Sequence, residues 1–299
     1  MLDRLSHLQV LQLNVGQNWE AHETALQLAF ENNCHVVLIQ EPWVFSDRSR
    51  RLSKHHPSFH QFAPIEDWST RPRTLTYILK HPHLKAEPFP LDTVTRDITA
   101  IRISTSKKAA LLINVYNAPQ GSVDESQGLH DLMRQSIPSY PCLAAGDFNL
   151  RHPAWQSSAQ PSPGAEPLLR WTESQDLTLT LPPDSPTRGP NMIDLTWANN
   201  ALLHIGISSE VATDLPPLAD HEPILTTIKW GPNNSAWDLP PLRWSTLDEK
   251  LLQETLQGET RLVDEEIATL PPCPSPSHLD KLAACITQTI STAMEASIK

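Results

Sequence analysis

The sequence predicts an α/β sandwich of mixed β-sheets. Short strand-like segments alternate with amphipathic helical ones, and they do so without the regular βαβ spacing of an all-parallel sheet. At 299 residues the chain is also long enough to bury a substantial core. In order, residues 8–15 read as a strand, 19–32 as an amphipathic helix and 35–40 as a buried apolar strand. Residues 46–72 are polar and rich in Pro, His and Arg, which predicts a long surface excursion. Strand-like stretches follow at 75–79, 98–103 and 110–116, then a helix over 126–137 and a short apolar strand over 141–146. A helix over 168–175 and strands over 192–198 and 224–229 complete the pattern. The Gly/Pro/Asn/Ser patch after Trp230 marks a domain boundary, so residues 1–231 form the main domain. Residues 232–299 then form an acidic helical tail or linker, with helical periodicity over 247–256, 260–270 and 279–296 broken by the prolines at 271–276.

Composition narrows the class. No apolar run approaches the roughly 18 residues of a membrane-spanning helix, so no membrane partner is expected. The first ten residues are too polar for a secretory signal, and an intracellular protein is the expectation. Cys34, Cys142, Cys273 and Cys285 lack zinc-site spacing and read as reduced thiols. The net charge of −11 argues against a diffuse nucleic-acid binder, which is usually basic. Residues 232–299 carry 5 Lys/Arg against 10 Asp/Glu, so much of the acidity lies outside the main domain.

Four strand ends carry polar groups that could do chemistry. Glu41 follows the apolar run at 36–39, as either a metal ligand or a cap where the strand surfaces. Asp147 and Asn149 end another apolar strand; two residues apart, they would point the same way on a strand, though both types also favour turns. Asp194 interrupts an apolar strand, where an unpaired carboxylate is expensive to bury. Asp220-His221-Glu222 precedes the last strand, and a His held by a buried Asp is fixed in one tautomer and favours its protonated form. A surface turn is the simpler reading of an isolated Asp-His.

These stretches occur in a particular order: Asn14-Val15-Gly16, Gln40-Glu41-Pro42-Trp43, Tyr116-Asn117-Ala118-Pro119, Gly146-Asp147-Phe148-Asn149 running on to His152-Pro153-Ala154-Trp155, Pro186-Thr187-Arg188-Gly189, Ile193-Asp194-Leu195-Thr196 and Asp220-His221-Glu222-Pro223. Over residues 8–230 the sequence thereby resembles the endonuclease/exonuclease/phosphatase superfamily, and within it the endonuclease domain of non-LTR retrotransposons. The resemblance implies a DNase I-like four-layer α/β sandwich with two packed mixed β-sheets. It implies that Glu41 binds a divalent metal, with Asn14 supporting the cluster and Asp220 beside the ion. Asp147 and Asn149 would activate and orient the attacking water, with Asp147 favoured over His221 as the base. Tyr116 would donate to a phosphate oxygen, and Asp194 would hold a protonated His221. Asn117, Thr187 and His152 fall on the substrate side.

The resemblance further implies Mg²⁺ as cofactor, with Mn²⁺ able to substitute, and DNA as substrate. A reverse-transcriptase domain in a longer parent polyprotein is the implied neighbour, and work on chromosomal DNA would require nuclear access. Another phosphoesterase of the superfamily, acting on a phospholipid or nucleotide, and a non-catalytic binding module are the competing readings. Ala219 stands where the family usually has Ser before the Asp-His pair. Replacing His221 is expected to cost rate and little stability. The histidines at 55, 56, 60, 81 and 83 fit no ligand spacing. Arg48, Arg50, Arg51 and Lys54 form a basic loop that could touch phosphates or face solvent, and Trp43 and Trp155 could stack on bases or anchor loops.

Overall fold

The computed structural model describes residues 5–46, 51–65, 68, 70–105, 108–215, 218–231, 248–271 and 274–297. The chain divides into two compact units, Met1–Pro232 and Asn233–Lys299. In the first unit the chain runs β1 (His7–Asn14), α1 (Trp19–Glu31), β2 (Val36–Gln40), β3 (Val44–Ser46), β4 (Arg51–Ser53), β5 (Phe59–Phe62), β6 (Thr74–Leu79), β7 (Lys85–Pro88), β8 (Ile98–Ser104) and β9 (Ala109–Tyr116). It continues with α2 (Gln127–Met133), β10 (Cys142–Asp147), α3 (Ala165–Ser174), β11 (Leu177–Leu179), β12 (Asp194–Asn199), α4 (Asn200–Ile205), β13 (Ile207–Val211) and β14 (Ile224–Lys229). The second unit is α5 (Glu249–Ala268) packed on α6 (Pro276–Ser297).

Two mixed six-stranded sheets result, ordered β13-β14-β1-β2-β6-β5 and β11-β12-β10-β9-β8-β7. Each has one parallel pair at its centre, β1/β2 and β9/β10, flanked by antiparallel neighbours. Their facing sides share a core of Leu8, Val10, Val36, Leu38, Ile101, Leu112, Leu143 and Ala198 among others. The outer face of the first sheet packs on α1 through Leu11, Val37, Leu75, Ala25 and Leu26. The outer face of the second packs on α2 and α3 through Ile113, Ala144, Leu129, Leu168 and the buried Trp155. Three apolar layers thus separate four structural ones, as the sequence led us to expect.

The sheet interface changes character along the strands. Inward-facing side chains recur every second residue, and toward one rim they turn polar. On β1, Leu8 and Val10 give way to Gln12 and Asn14; on β2, Leu38 gives way to Gln40; on β9, Leu112 gives way to Asn114 and Tyr116; on β10, Ala145 gives way to Asp147. Two of the buried amides are linked across the sheets: Gln40 Nε2 donates to Asn114 Oδ1 at 2.6 Å, and Asn114 Nδ2 donates to the carbonyl of Ile39 at 3.1 Å. Both parallel pairs end at this rim, and their antiparallel neighbours β12 and β14 begin there.

Several elements differ from expectation. The 46–72 stretch holds the last residue of β3 together with β4 and β5, and β5 pairs with β6 at the edge of the first sheet. β7, β11 and β13 are edge strands of 3 to 5 residues, too short for periodicity to register. The helical stretches at 247–256 and 260–270 are one helix, α5, continuous through Gly258, while Leu247 lies outside the described residues. Among the described residues no helix is long and apolar enough to cross a membrane.

Candidate active site

Asp147 closes β10, and strand register decides its neighbours. Its Cα pairs with Tyr116 on the parallel strand β9 and with Asp194 on the antiparallel strand β12, so three candidate residues lie in one row. Gly146 permits the close approach of β9: a Cβ there would meet the Val115 carbonyl oxygen at 1.8 Å, and its φ of +155° is one L side chains rarely adopt. Beyond Asp147 the chain leaves the strand, and Asn149 takes a left-handed φ of +49°. Asp147 and Asn149 therefore meet by a turn, and not by strand alternation as the sequence suggested. The Asn149 backbone N–H donates to Asp147 Oδ1 at 2.9 Å, and its Nδ2 donates to Asp147 Oδ2 at 3.0 Å and to the Asn117 carbonyl at 2.9 Å.

The first sheet supplies the opposing groups. Asn14 Nδ2 donates to Asp147 Oδ2 at 2.8 Å and lies 3.4 Å from Glu41 Oε2, so one amide joins the two carboxylates across the sheets. Glu41 follows β2 out of inward register, and a φ of +45° redirects it to the rim. Its backbone N–H donates to the Arg73 carbonyl at 2.9 Å, while Gln17 Nε2 donates to its Oε1 at 3.0 Å. Arg73 lies with its guanidinium carbon 5.5 Å from the Tyr116 ring centre and is paired with Asp124 and Asp97. Gln17 and Arg73 escaped sequence reasoning, since neither belongs to a polar strand end.

His221 Nδ1 lies 2.8 Å from Asp194 Oδ2, and its Nε2 lies 4.0 Å from Asp147 Oδ2, beyond hydrogen-bond reach. Asp147, Asp194 and His221 are all buried and form, among the described residues, an acid–imidazole cluster with ligand atoms within 4.8 Å of one another. Burial raises the pKa of Asp147, and the Asp194 charge adds to the rise; His221 and the Asn14 and Asn149 donors oppose it without cancelling it. For His221, burial favours the neutral ring, but the hydrogen bond and charge of Asp194, joined by Asp147, outweigh it and raise the pKa. Tyr116 is held in its neutral hydroxyl form by burial and by the Glu41 and Asp147 carboxylates.

The remaining candidates fall into distinct places. Asp220 turns away from the cluster onto Arg188, whose Nε and Nη2 donate to its Oδ2 at 2.9 and 2.6 Å. Burial would raise the pKa of Asp220, but this hydrogen bond and charge lower it. Arg188, Arg151, Asn149, Asn117 and Asp220 line a cavity of about 690 Å³ beside the cluster. Asn117 uses its side chain within the fold, donating to the Phe148 carbonyl at 2.8 Å and accepting from Leu129 N at 3.1 Å. His152 Nε2 lies 3.2 Å from Glu166 Oε2 and its ring packs on Trp155, which is fully buried and so anchors a loop and does not stack on bases. Arg48 and Arg50 lie outside the described residues.

Thr187 is also fully buried. Its Oγ1 accepts from both Ile193 N and Asp194 N at 3.1 Å, and its carbonyl accepts from Glu222 N at 2.7 Å. It joins the two segments that carry Asp194 and His221. Thr187→Val strands two buried N–H groups and is expected to destabilise the domain by about 2 kcal/mol or more in urea unfolding. An unchanged midpoint would mean that neither bond contributes.

Comparisons with known proteins bear on the fold. Residues 110–225 match a family model described as endonuclease-reverse transcriptase. No curated protein sequence matches the chain. Among solved structures, the endonuclease domain of TRAS1, a telomere-specific non-LTR retrotransposon, aligns with a TM-score of 0.60 at 21% identity, covering 75% of this chain and 99% of that one. The catalytic domain of Xenopus laevis APE2 aligns with a TM-score of 0.58 at 12% identity, covering 74% and 92%. The AP endonuclease LMAP from Leishmania major aligns with a TM-score of 0.56 at 11% identity, covering 76% and 89%. At these identities the likeness is one of fold.

Proposed function

For a chain with the endonuclease/exonuclease/phosphatase fold, we propose a divalent-metal-dependent phosphodiesterase that nicks DNA, as a retrotransposon-type endonuclease does. The observation that carries this reading is the single Asn14 amide joining the Asp147 and Glu41 carboxylates, with the Asp194–His221 pair directly behind. Two carboxylates sharing one neutral donor, one of them with a raised pKa, form an oxygen-rich set that suits a hard cation. Glu41 and Asp147 would hold Mg²⁺, or Mn²⁺ in its place, with Asn14 fixing their spacing. Asp220 would join only after leaving Arg188. When bound, the ion would relieve charge on the phosphate oxygens and favour ionised water.

The protein's own groups supply the rest. Asp147, its two oxygens fixed by the Asn14 and Asn149 donors, accepts a proton from the attacking water. Asn149 has both amide hydrogens engaged within the protein, which leaves Oδ1 to orient that water. The His221 imidazolium, pinned through Nδ1, presents Nε2 to a phosphate oxygen as negative charge develops. Tyr116, kept neutral, donates its hydroxyl to another. Asn117 and Thr187 act as positioning residues under Asn149 and Asp194. Residues 232–299 are proposed to lie outside this catalytic unit, linking it in a longer parent chain to a reverse transcriptase.

The test is direct. Purified protein is expected to relax supercoiled plasmid to nicked circle with Mg²⁺ or Mn²⁺ and to leave it supercoiled in excess chelator. Undiminished nicking in chelator would remove the metal from the reading, and intact plasmid under every metal would remove the nuclease.

A further inference from the structure

The segment directly after Glu41 forms a two-stranded ribbon apart from both main sheets, β3 paired with β4. Phe45 and Leu52 are cross-strand partners and therefore project from the same face. They are 48% and 55% exposed, so the ribbon presents an adjacent apolar pair to solvent. Neighbouring side chains hold the ribbon. Trp43 stacks on Phe45 with ring centres 6.3 Å apart at 28°, and Ser53 Oγ donates to the Trp43 carbonyl at 2.6 Å. Lys54 Nζ sits 4.2 Å from the centre of the half-exposed Trp19 ring and 5.5 Å from that of Trp43, with Glu23 as its ion partner.

Charge points to the occupant. Arg51 and Lys54 lie on either side of Leu52 along the chain, and Arg71 Nη2 donates to the carbonyl of Pro42, the residue before Trp43, while Arg51 Nη1 donates to the Trp68 carbonyl. Trp43 stands two residues from Glu41, a separation of at most about 7 Å along the chain. A ligand seated on the ribbon is therefore continuous with one bound at the rim. An apolar wedge flanked by cations, within a nucleotide's length of a phosphodiester site, suits a nucleic-acid duplex: the cations meet phosphates and the wedge enters a base step.

Resting on the nuclease reading, we infer that the β3–β4 ribbon docks the duplex beside the scissile phosphate, with Phe45 and Leu52 as the wedge. It places the DNA and takes no part in the chemistry.

The test is fluorescence anisotropy of a labelled duplex with the full chain, Ca²⁺ replacing Mg²⁺ to hold off turnover. The Phe45→Ala/Leu52→Ala chain is expected to bind about tenfold more weakly than wild type. Binding of the single strand of the same sequence should change less than twofold. Phe45→Ala alone serves as the milder variant, and equal unfolding midpoints establish folding. Duplex affinity that stays at the wild-type value overturns the docking. An equal loss on the single strand overturns the wedge in favour of stacking on unpaired bases, and a variant whose only change is loss of self-association makes the ribbon a contact between copies. Plasmid nicking is measured separately: ribbon-dependent duplex binding by a chain that never nicks keeps the docking and removes the hydrolysis. Nicking with ribbon-independent binding does the reverse.

Discussion

A His221→Ala chain is expected to nick supercoiled plasmid about 10²–10³-fold more slowly than wild type, with the loss in kcat. Nε2 is the ring atom free of Asp194, and a hydrogen-bond donor aimed at charge that develops only in the transition state moves kcat more than KM. The expectation that stability would barely change does not survive the geometry. His221 and Asp194 are both buried, so removing the ring leaves the Asp194 carboxylate without its cationic partner. Breaking such a pair costs about 3 kcal/mol or more, and urea unfolding in chelator should register it. Asp194→Asn should slow nicking by a similar order, because the amide no longer favours the imidazolium. The double variant should then be little worse than either single one, since the two act as a unit. Near-wild-type kcat in a folded His221→Ala chain would assign the charge stabilisation to another group.

Much of this site can be read from the sequence once parity along the strands is considered. Asn14, Tyr116, Asp147 and Asp194 each occupy the inward-facing position of their strand, where the apolar alternation turns polar. That pattern is local and survives without any structure. Glu41 breaks the parity and would have been sent to the outer face; its left-handed backbone returns it to the rim, and no side-chain pattern announces such a turn. Asn117 and Thr187 show the opposite difficulty. Residue type and motif placed them toward substrate, yet their polar atoms satisfy buried backbone groups, a demand visible only when the loops are packed. Arg188 and Arg73 are cations in polar loops, and nothing along the chain distinguishes them from solvated neighbours until Asp220 and Tyr116 arrive from distant segments. The edge strands β5 and β13 were hidden for a simpler reason. Each has a single buried side chain, so the apolar alternation that marks a strand is diluted.

The largest expected effect belongs to Asp147→Asn, which should lower nicking by roughly 10³-fold or more while making the metal-free protein more stable at alkaline pH. The rate falls because an amide neither accepts the water's proton nor provides an anionic ligand. Stability moves the other way through linkage. The folded protein raises the pKa of Asp147, since burial and the Asp194 charge disfavour its ionised form. A group with a raised folded pKa contributes stability that is fully present below its unfolded pKa, near 4 for an aspartate, and loses it as pH rises through the folded value. His221 carries the same sign, its contribution present below about 6.5 and lost above its own raised pKa. In chelator, wild-type Tm should therefore fall from mildly acidic to alkaline pH, while Asp147→Asn, lacking the first contribution, should fall less and cross above it. Saturating Mg²⁺ should raise wild-type Tm most at the alkaline end, where the ionised carboxylate is available, and should leave the variant nearly unmoved. If Asp147→Asn is less stable than wild type in chelator across the alkaline range, the Asn14 and Asn149 donors already stabilise the carboxylate fully. The proton acceptor would then have to be sought elsewhere at the rim.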